Sequence, residues 1–278
     1  MNKDYWTEAF SYPSLYWKMA KVKKTVHPTA VSFGPEKNQY FLHFAPSCAE
    51  SGKVVVWIHG GGWNAGDPGI FSFVGQCFAQ AGFHCISLGY RLSPKHKYPC
   101  QIEDVCAGFN RAMDYLHDAG VDTGRVIVTG PSAGAHLASI LCYDRAVQAK
   151  YHVRADKIAG FIGVAGPYAF RTGVTKTVQI LLNQLFAKGY DRSLAEPLAV
   201  MENTGIPMLL IHSRHDGLID FSMADRFFRK AQSLGLSAEL YEVADRQNTH
   251  SGYSAGMFLE SRAACQALDK LLSWIEAV

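Results

Sequence analysis

Short apolar runs rich in Val, Ile and Leu alternate along most of this chain with longer stretches whose apolar residues recur at helical spacing. The apolar runs are "QYFLHFA" (39–45), "KVVVWIHGGGW" (53–63), "FHCISLGYR" (83–91), "RVIVTG" (125–130), "IAGFIGVAG" (158–166), "PMLLIHS" (207–213) and "AELYEVA" (238–244). Between them lie the helical patterns "FSFVGQCFAQAG", "IEDVCAGFNRAMDYLHDAG", "AHLASILCYDRAV", "MADRFFRKAQSLG" and a final "RAACQALDKLLSWIEAV". Continuously apolar strands separated by helices demand a mainly parallel sheet covered on both faces. The fold class expected is therefore α/β, with a central sheet and helices on both sides. No repeat or composition break marks a linker, so residues 1–278 are expected to form a single domain.

Two segments stand outside the alternation. Residues 170–205 carry one amphipathic stretch, "VQILLNQLF", between turn-rich flanks. A segment of this kind reads either as a small cap over a site or as an ordinary crossover helix. Residues 1–30 hold six aromatics between positions 5 and 17, and either lie over the same region or pack on the sheet.

The pattern G-x-S-x-G, which can mark a strained turn presenting a nucleophilic serine, occurs twice: "GPSAG" around Ser132 and "GYSAG" around Ser254. Ser132 directly follows a strand and leads into a helix, the setting such a turn needs. Gly130, Ala133 and Gly134 supply room for its close approaches. Ser254 follows the polar loop "DRQNTH", and no histidine lies beyond position 250. On this fold a serine nucleophile needs an acid and then a histidine further along the chain. Ser132 is the candidate and Ser254 the decoy.

Chain order also selects the partners. Asp216 stands just past the strand "PMLLIHS", with Asp220 as the alternative, and His250 is the one histidine after both. In this arrangement His250 takes the Ser132 proton, and the carboxylate fixes the imidazole tautomer. The oxyanion that forms needs preplaced N–H donors. Ala133, the residue after the nucleophile, offers one, and the glycine run of "HGGGW" (59–63) offers others. His136, one helical turn past Ser132, is expected to pack or bond locally, and Cys142 to belong to the core. Trp63 reads equally as a wall of the acyl pocket or as an aromatic anchoring the glycine loop.

"HGGGW", "YRLSPKHKYP" (90–99), "GPSAGAHLA" (130–138), "HSRHD" (212–216) and the late His250 together resemble the α/β-hydrolase superfamily. The resemblance is to its HGGG-type esterases, the group of hormone-sensitive-lipase-like carboxylesterases and arylformamidases. It implies that Gly61 and Gly62 donate to the oxyanion and that no cofactor is needed. Pro131 stands where lipase-like members carry an acidic residue, and Ala135 where a glycine is common. Both departures tilt the reading toward arylformamidases and small-ester hydrolases. The activity expected is cleavage of short acyl or aryl esters through an acyl-enzyme. One alternative is an N-formylkynurenine formamidase; another, from a different class, is a silent hydrolase-fold binding protein, against which the complete triad argues.

Composition narrows the partners. Net charge is +3, and the densest basic stretch, Lys18 to Lys24, reads as a solvated helix face. No aromatic-and-basic alternation suggests nucleic-acid binding, and no apolar run is long enough for a membrane span. The partner expected is a small-molecule ester or amide; oligomeric state is left open, a homodimer included. Seven scattered cysteines without a C-x-x-C fit reduced thiols better than disulfides or metal ligands, and the N-terminus has no secretory h-region. These features point to the cytoplasm.

Overall fold

The computed structural model describes residues 3–49, 51–244 and 248–278. Chain order runs α1 (Lys3–Ala20), β1 (Thr29–Ser32), β2 (Tyr40–Phe44), β3 (Val54–Ile58), α2 (Ser72–Gln80), β4 (His84–Leu88), α3 (Cys100–Asp118), β5 (Val126–Pro131) and α4 (Ala133–Tyr143). It continues with α5 (Arg145–Lys150), β6 (Ile158–Val164), α6 (Lys176–Leu185), α7 (Pro197–Val200), β7 (Met208–His212), α8 (Ser222–Ser233), β8 (Ala238–Glu242), α9 (His250–Ser254) and α10 (Gln266–Ala277).

The eight strands form one sheet in the order β1-β2-β4-β3-β5-β6-β7-β8. Pairing is antiparallel from β1 through β2 to β4 and parallel across the rest. Alternate side chains of a strand enter opposite layers. Val54, Val56 and Ile58 join one buried cluster, with residues of α3, α4 and α8. Val55 and Trp57 join the other, with residues of α2 and α10. This two-sided burial is why the strands read as unbroken apolar runs.

Each predicted strand is present, and Gly82, Gly120 and Gly235 take positive φ just beyond α2, α3 and α8. The structure differs from the sequence reading at three places. β1, four residues with mostly exposed side chains, had no apolar pattern to reveal it. The expected helix over 135–147 breaks at Asp144, whose side chain accepts from Val147 N–H and starts α5 afresh. The final helix begins at Gln266, with Arg262–Ala264 forming a separate 3-10 turn.

Candidate active site

Parallel strands deliver their C-terminal ends to one edge of the sheet, and the candidate residues gather there. Ser132 sits between β5 and α4 with φ 52° and ψ −119°, a conformation costly for a residue with a side chain. The close packing that imposes it is measurable: a Cβ on Gly134 would lie 2.0 Å from Ile58 O, and one on Gly130 would lie 2.5 Å from the same atom. Ser132 N–H donates to Val164 O (2.8 Å), pinning the turn to β6. Ala133 follows as the first helical residue, where backbone N–H groups have no intrahelical acceptor.

Asp216 lies in the turn after β7 and is buried. Its Oδ1 accepts from Leu218 N–H and Ile219 N–H, both 2.8 Å. Its Oδ2 accepts from the Tyr253 hydroxyl and from His250 Nδ1–H, the latter at 2.8 Å. Burial alone would raise the Asp216 pKa; the His250 charge and hydrogen bond, the nearby His212 and the Ile219 amide outweigh it and hold the value at about 2. For His250, burial favours the neutral ring, but Asp216 prevails and the pKa is raised. Asp220, the alternative acid, is exposed, and its Oδ1 accepts from Ser222 N–H (2.9 Å), so it closes the turn that leads into α8 instead.

His250 opens α9 rather than sitting in open loop, with Thr249 as the N-cap. The preceding polar stretch cannot be followed throughout, because residues 245–247 lie outside the described residues. Ser254 ends the same short helix and is buried. Unlike Ser132, it has no positive φ and no strand-to-helix turn.

The glycine run forms a turn in which Gly61 O accepts from Ala65 N–H (3.0 Å). Gly61 (φ 108°) and Gly62 (φ 59°) lack room for a side chain, since a Cβ would lie 2.3 Å from Ala65 O and 2.7 Å from Leu181 respectively. Trp63 is buried at positive φ, and its indole N–H donates to His136 Nδ1 (3.1 Å). His136 Nε2–H in turn donates to Ala195 O (2.8 Å), and burial pushes the ring down to about 4. His136 thus bonds locally as expected, and it ties the glycine loop to the 170–205 segment. Trp63 anchors the glycine loop through its indole, and it is also among the residues lining the cavity. Cys142 is buried in the core.

Ser132, His250, Gly61, Gly62, Trp63 and Ser254 line a common cavity of about 270 Å³. Beside Phe71, Pro167 and Ile219, both of the segments that stand outside the strand–helix alternation contribute walls. Leu181 and Val178 on α6 form one, and Tyr12, Leu15, Tyr16 and Met19 on α1 form another. Sequence reasoning found no role for Tyr253, Tyr12 or Glu8. Tyr253 lies inside the discounted "GYSAG" motif, and Tyr12 and Glu8 meet the site only across a long stretch of chain. Among the described residues, no group of three or more His, Cys, Asp or Glu side chains is placed to hold a metal ion.

A mainly parallel sheet with a strained serine at the β5 turn, followed in chain order by a buried Asp–His pair at later strand ends, defines an α/β-hydrolase of the esterase group. The BD-FAE family model matches residues 42–231, and the chain belongs to that family. Carboxylic ester hydrolase LipN of Mycobacterium tuberculosis is 34% identical over 120 residues, covering 42% of this chain and 32% of LipN. The chain spans about a third to a half of the length of the curated relatives it matches (32%, 32% and 49% for three of them). Among solved structures, the Francisella virulence factor BioJ aligns with a TM-score of 0.78 at 19% identity, over 98% of this chain and 91% of that one. A bacterial heroin esterase aligns with a TM-score of 0.77, also at 19% identity, over 97% and 90%. These two likenesses are of fold.

Proposed function

We propose that the protein is a serine hydrolase that cleaves short-chain acyl or aryl carboxylic esters through an acyl-enzyme. The observation that carries this reading is the buried Asp216–His250 pair opening on the same cavity as a strained Ser132. His250 Nδ1–H is committed to Asp216, which leaves Nε2 as the acceptor for the Ser132 proton. The acyl carbon then bonds to Ser132 Oγ, and the oxyanion takes N–H donors from Ala133, Gly61 and Gly62. His250 returns the proton to the departing alcohol, and water repeats the sequence to release the acid.

The small cavity, walled largely by Leu15, Met19, Phe71, Val178 and Leu181, supports a short acyl or compact aryl group over a long chain. The ester-hydrolase names of matching relatives support the reaction class. In this reading α6 and α1 form a small cap on a single domain that needs no cofactor. The scattered cysteines of the sequence, with no C-x-x-C, support a reducing compartment such as the cytoplasm. No helix among the described residues is long and apolar enough to cross a membrane.

The test is turnover of p-nitrophenyl esters from acetate to decanoate, with N-formylkynurenine alongside. Acetate to butyrate should lead; faster turnover of N-formylkynurenine would move the assignment to a formamidase. Ser132→Ala should abolish hydrolysis while Ser254→Ala retains most turnover, and a fluorophosphonate probe should label Ser132 alone. Labelling of Ser254, or full activity in Ser132→Ala, would overturn the assignment of the nucleophile.

A further inference from the structure

Helix α1 reaches both chain segments that carry the Asp216–His250 pair. At its first turn, Asp4 O sits so close to Gly217 that a Cβ there would approach to 2.5 Å, which packs the helix on the turn holding Asp216. One turn further along, Glu8 is 1% exposed and its Oε1 accepts from Ser251 N–H (3.0 Å), the amide directly after His250. Ser11 hydrogen-bonds to the Ser251 hydroxyl, and Tyr5 to Thr177 of α6 (3.2 Å). The Tyr12 phenol, one turn past Glu8 on α1, lies against the same carboxylate. Burying a carboxylate with no cation in ion-pair contact among the described residues costs stability, so its retention is a cue to function.

We propose that Glu8 is a positioning residue for His250. Its carboxylate fixes the first turn of α9 through Ser251 N–H and sets a second negative charge near the Asp216–His250 pair. This role rests on the serine-hydrolase reading above. A helix as short as α9 has little stability of its own, so its entry depends on such outside ties. The groups that bear on the His250 charge are Asp216 and His212 from β7 and its turn and Glu8 from α1, while Tyr253 of α9 and Tyr12 of α1 face the two carboxylates. Asp216 acts directly on the ring; Glu8 adds to it in the same direction, favouring the imidazolium that forms as Ser132 attacks.

The test uses the full chain with Glu8→Gln and Glu8→Ala, reading kcat, KM and the rate of fluorophosphonate labelling of Ser132 against pH. Glu8→Gln keeps an acceptor for Ser251 N–H but removes the charge. The acid limb of kcat/KM and of labelling should then move to lower pH by about half a unit. Glu8→Ala also removes the tie, and kcat should fall about tenfold with KM changed less than threefold, the Gln variant recovering most of that loss. An acid limb unmoved in Glu8→Gln would overturn the charge role. Equal kcat in Glu8→Ala and wild type would overturn the tie. If wild-type Ser132 takes no label at any pH, the hydrolase reading itself fails, and this role with it.

Discussion

Asp216 is the residue on which the site turns. Four donors converge on its two oxygens, from the Leu218 and Ile219 amides, the Tyr253 hydroxyl and His250. That set orients the carboxylate before substrate arrives. Asp216→Asn would place an amide where an acceptor must face Nδ1–H, and would favour the wrong imidazole tautomer. Turnover should fall by about 10⁴, the loss found for the equivalent change in a serine protease, with the fold kept. Asp220→Asn should stay within threefold of wild type, because the Asn carbonyl accepts the same turn bond from Ser222 N–H as Asp does. Measuring kcat for both variants separates the two acids, and a larger loss in Asp220→Asn would reverse their assignment.

At the scale of elements, the loop bearing Trp63 is held by side chains from distant parts of the chain. The Trp63 indole meets His136 of α4, His136 meets Ala195, and Asn64 Nδ2 donates to Gln184 Oε1 (2.9 Å). Trp63→Phe keeps an aromatic ring but leaves the buried His136 Nδ1 without its donor. Such a loss costs about 1–3 kcal/mol, which corresponds to a drop of about 3–10 °C in Tm for a domain of this size. If anchoring is the only role of Trp63, the ratio of octanoate to acetate turnover should not change. A rise in that ratio with an unaltered Tm would instead make Trp63 a wall of the acyl pocket.

For the whole molecule, acid stability should be governed by buried histidines before carboxylates. Burial pushes His43, His59 and His136 each down to about 4, and lowers His212 as well. Unfolded imidazoles bind protons near 6.5 while these rings stay neutral in the native state. The unfolded state therefore gains as pH falls from about 6.5 to about 4, and His43, His59 and His136 each remove on the order of 3 kcal/mol across that window, with His212 acting in the same direction. His250 acts in the opposite sense, since its raised pKa contributes stability below 6.5 that is lost as pH rises. Asp216 adds a further loss only below about 3.8, as pH falls toward its folded value of about 2. Melting temperature should decline steeply from pH 6.5 to 4.5. A flat profile over that range would show that the histidines are not held neutral.

Much of this was legible in the chain itself, for local reasons. β3, β5, β6 and β7 are buried on both faces, so each had to be written as an apolar run. The Ser132 turn admits only glycine at 130 and 134, and the order of serine, acid and histidine follows from the order of the parallel strands. Tertiary structure alone decided the rest. β1 has too few buried side chains to carry a pattern. Nothing in the aromatic-rich first helix says where it lands, because its outward face keeps Trp6, Phe10 and Trp17 exposed while its inward face carries Glu8 and Ser11. The bond from Ser251 to Glu8 joins residues 243 positions apart. Local propensity contains no term for such a contact; it exists only once the sheet has brought α9 and α1 to the same edge.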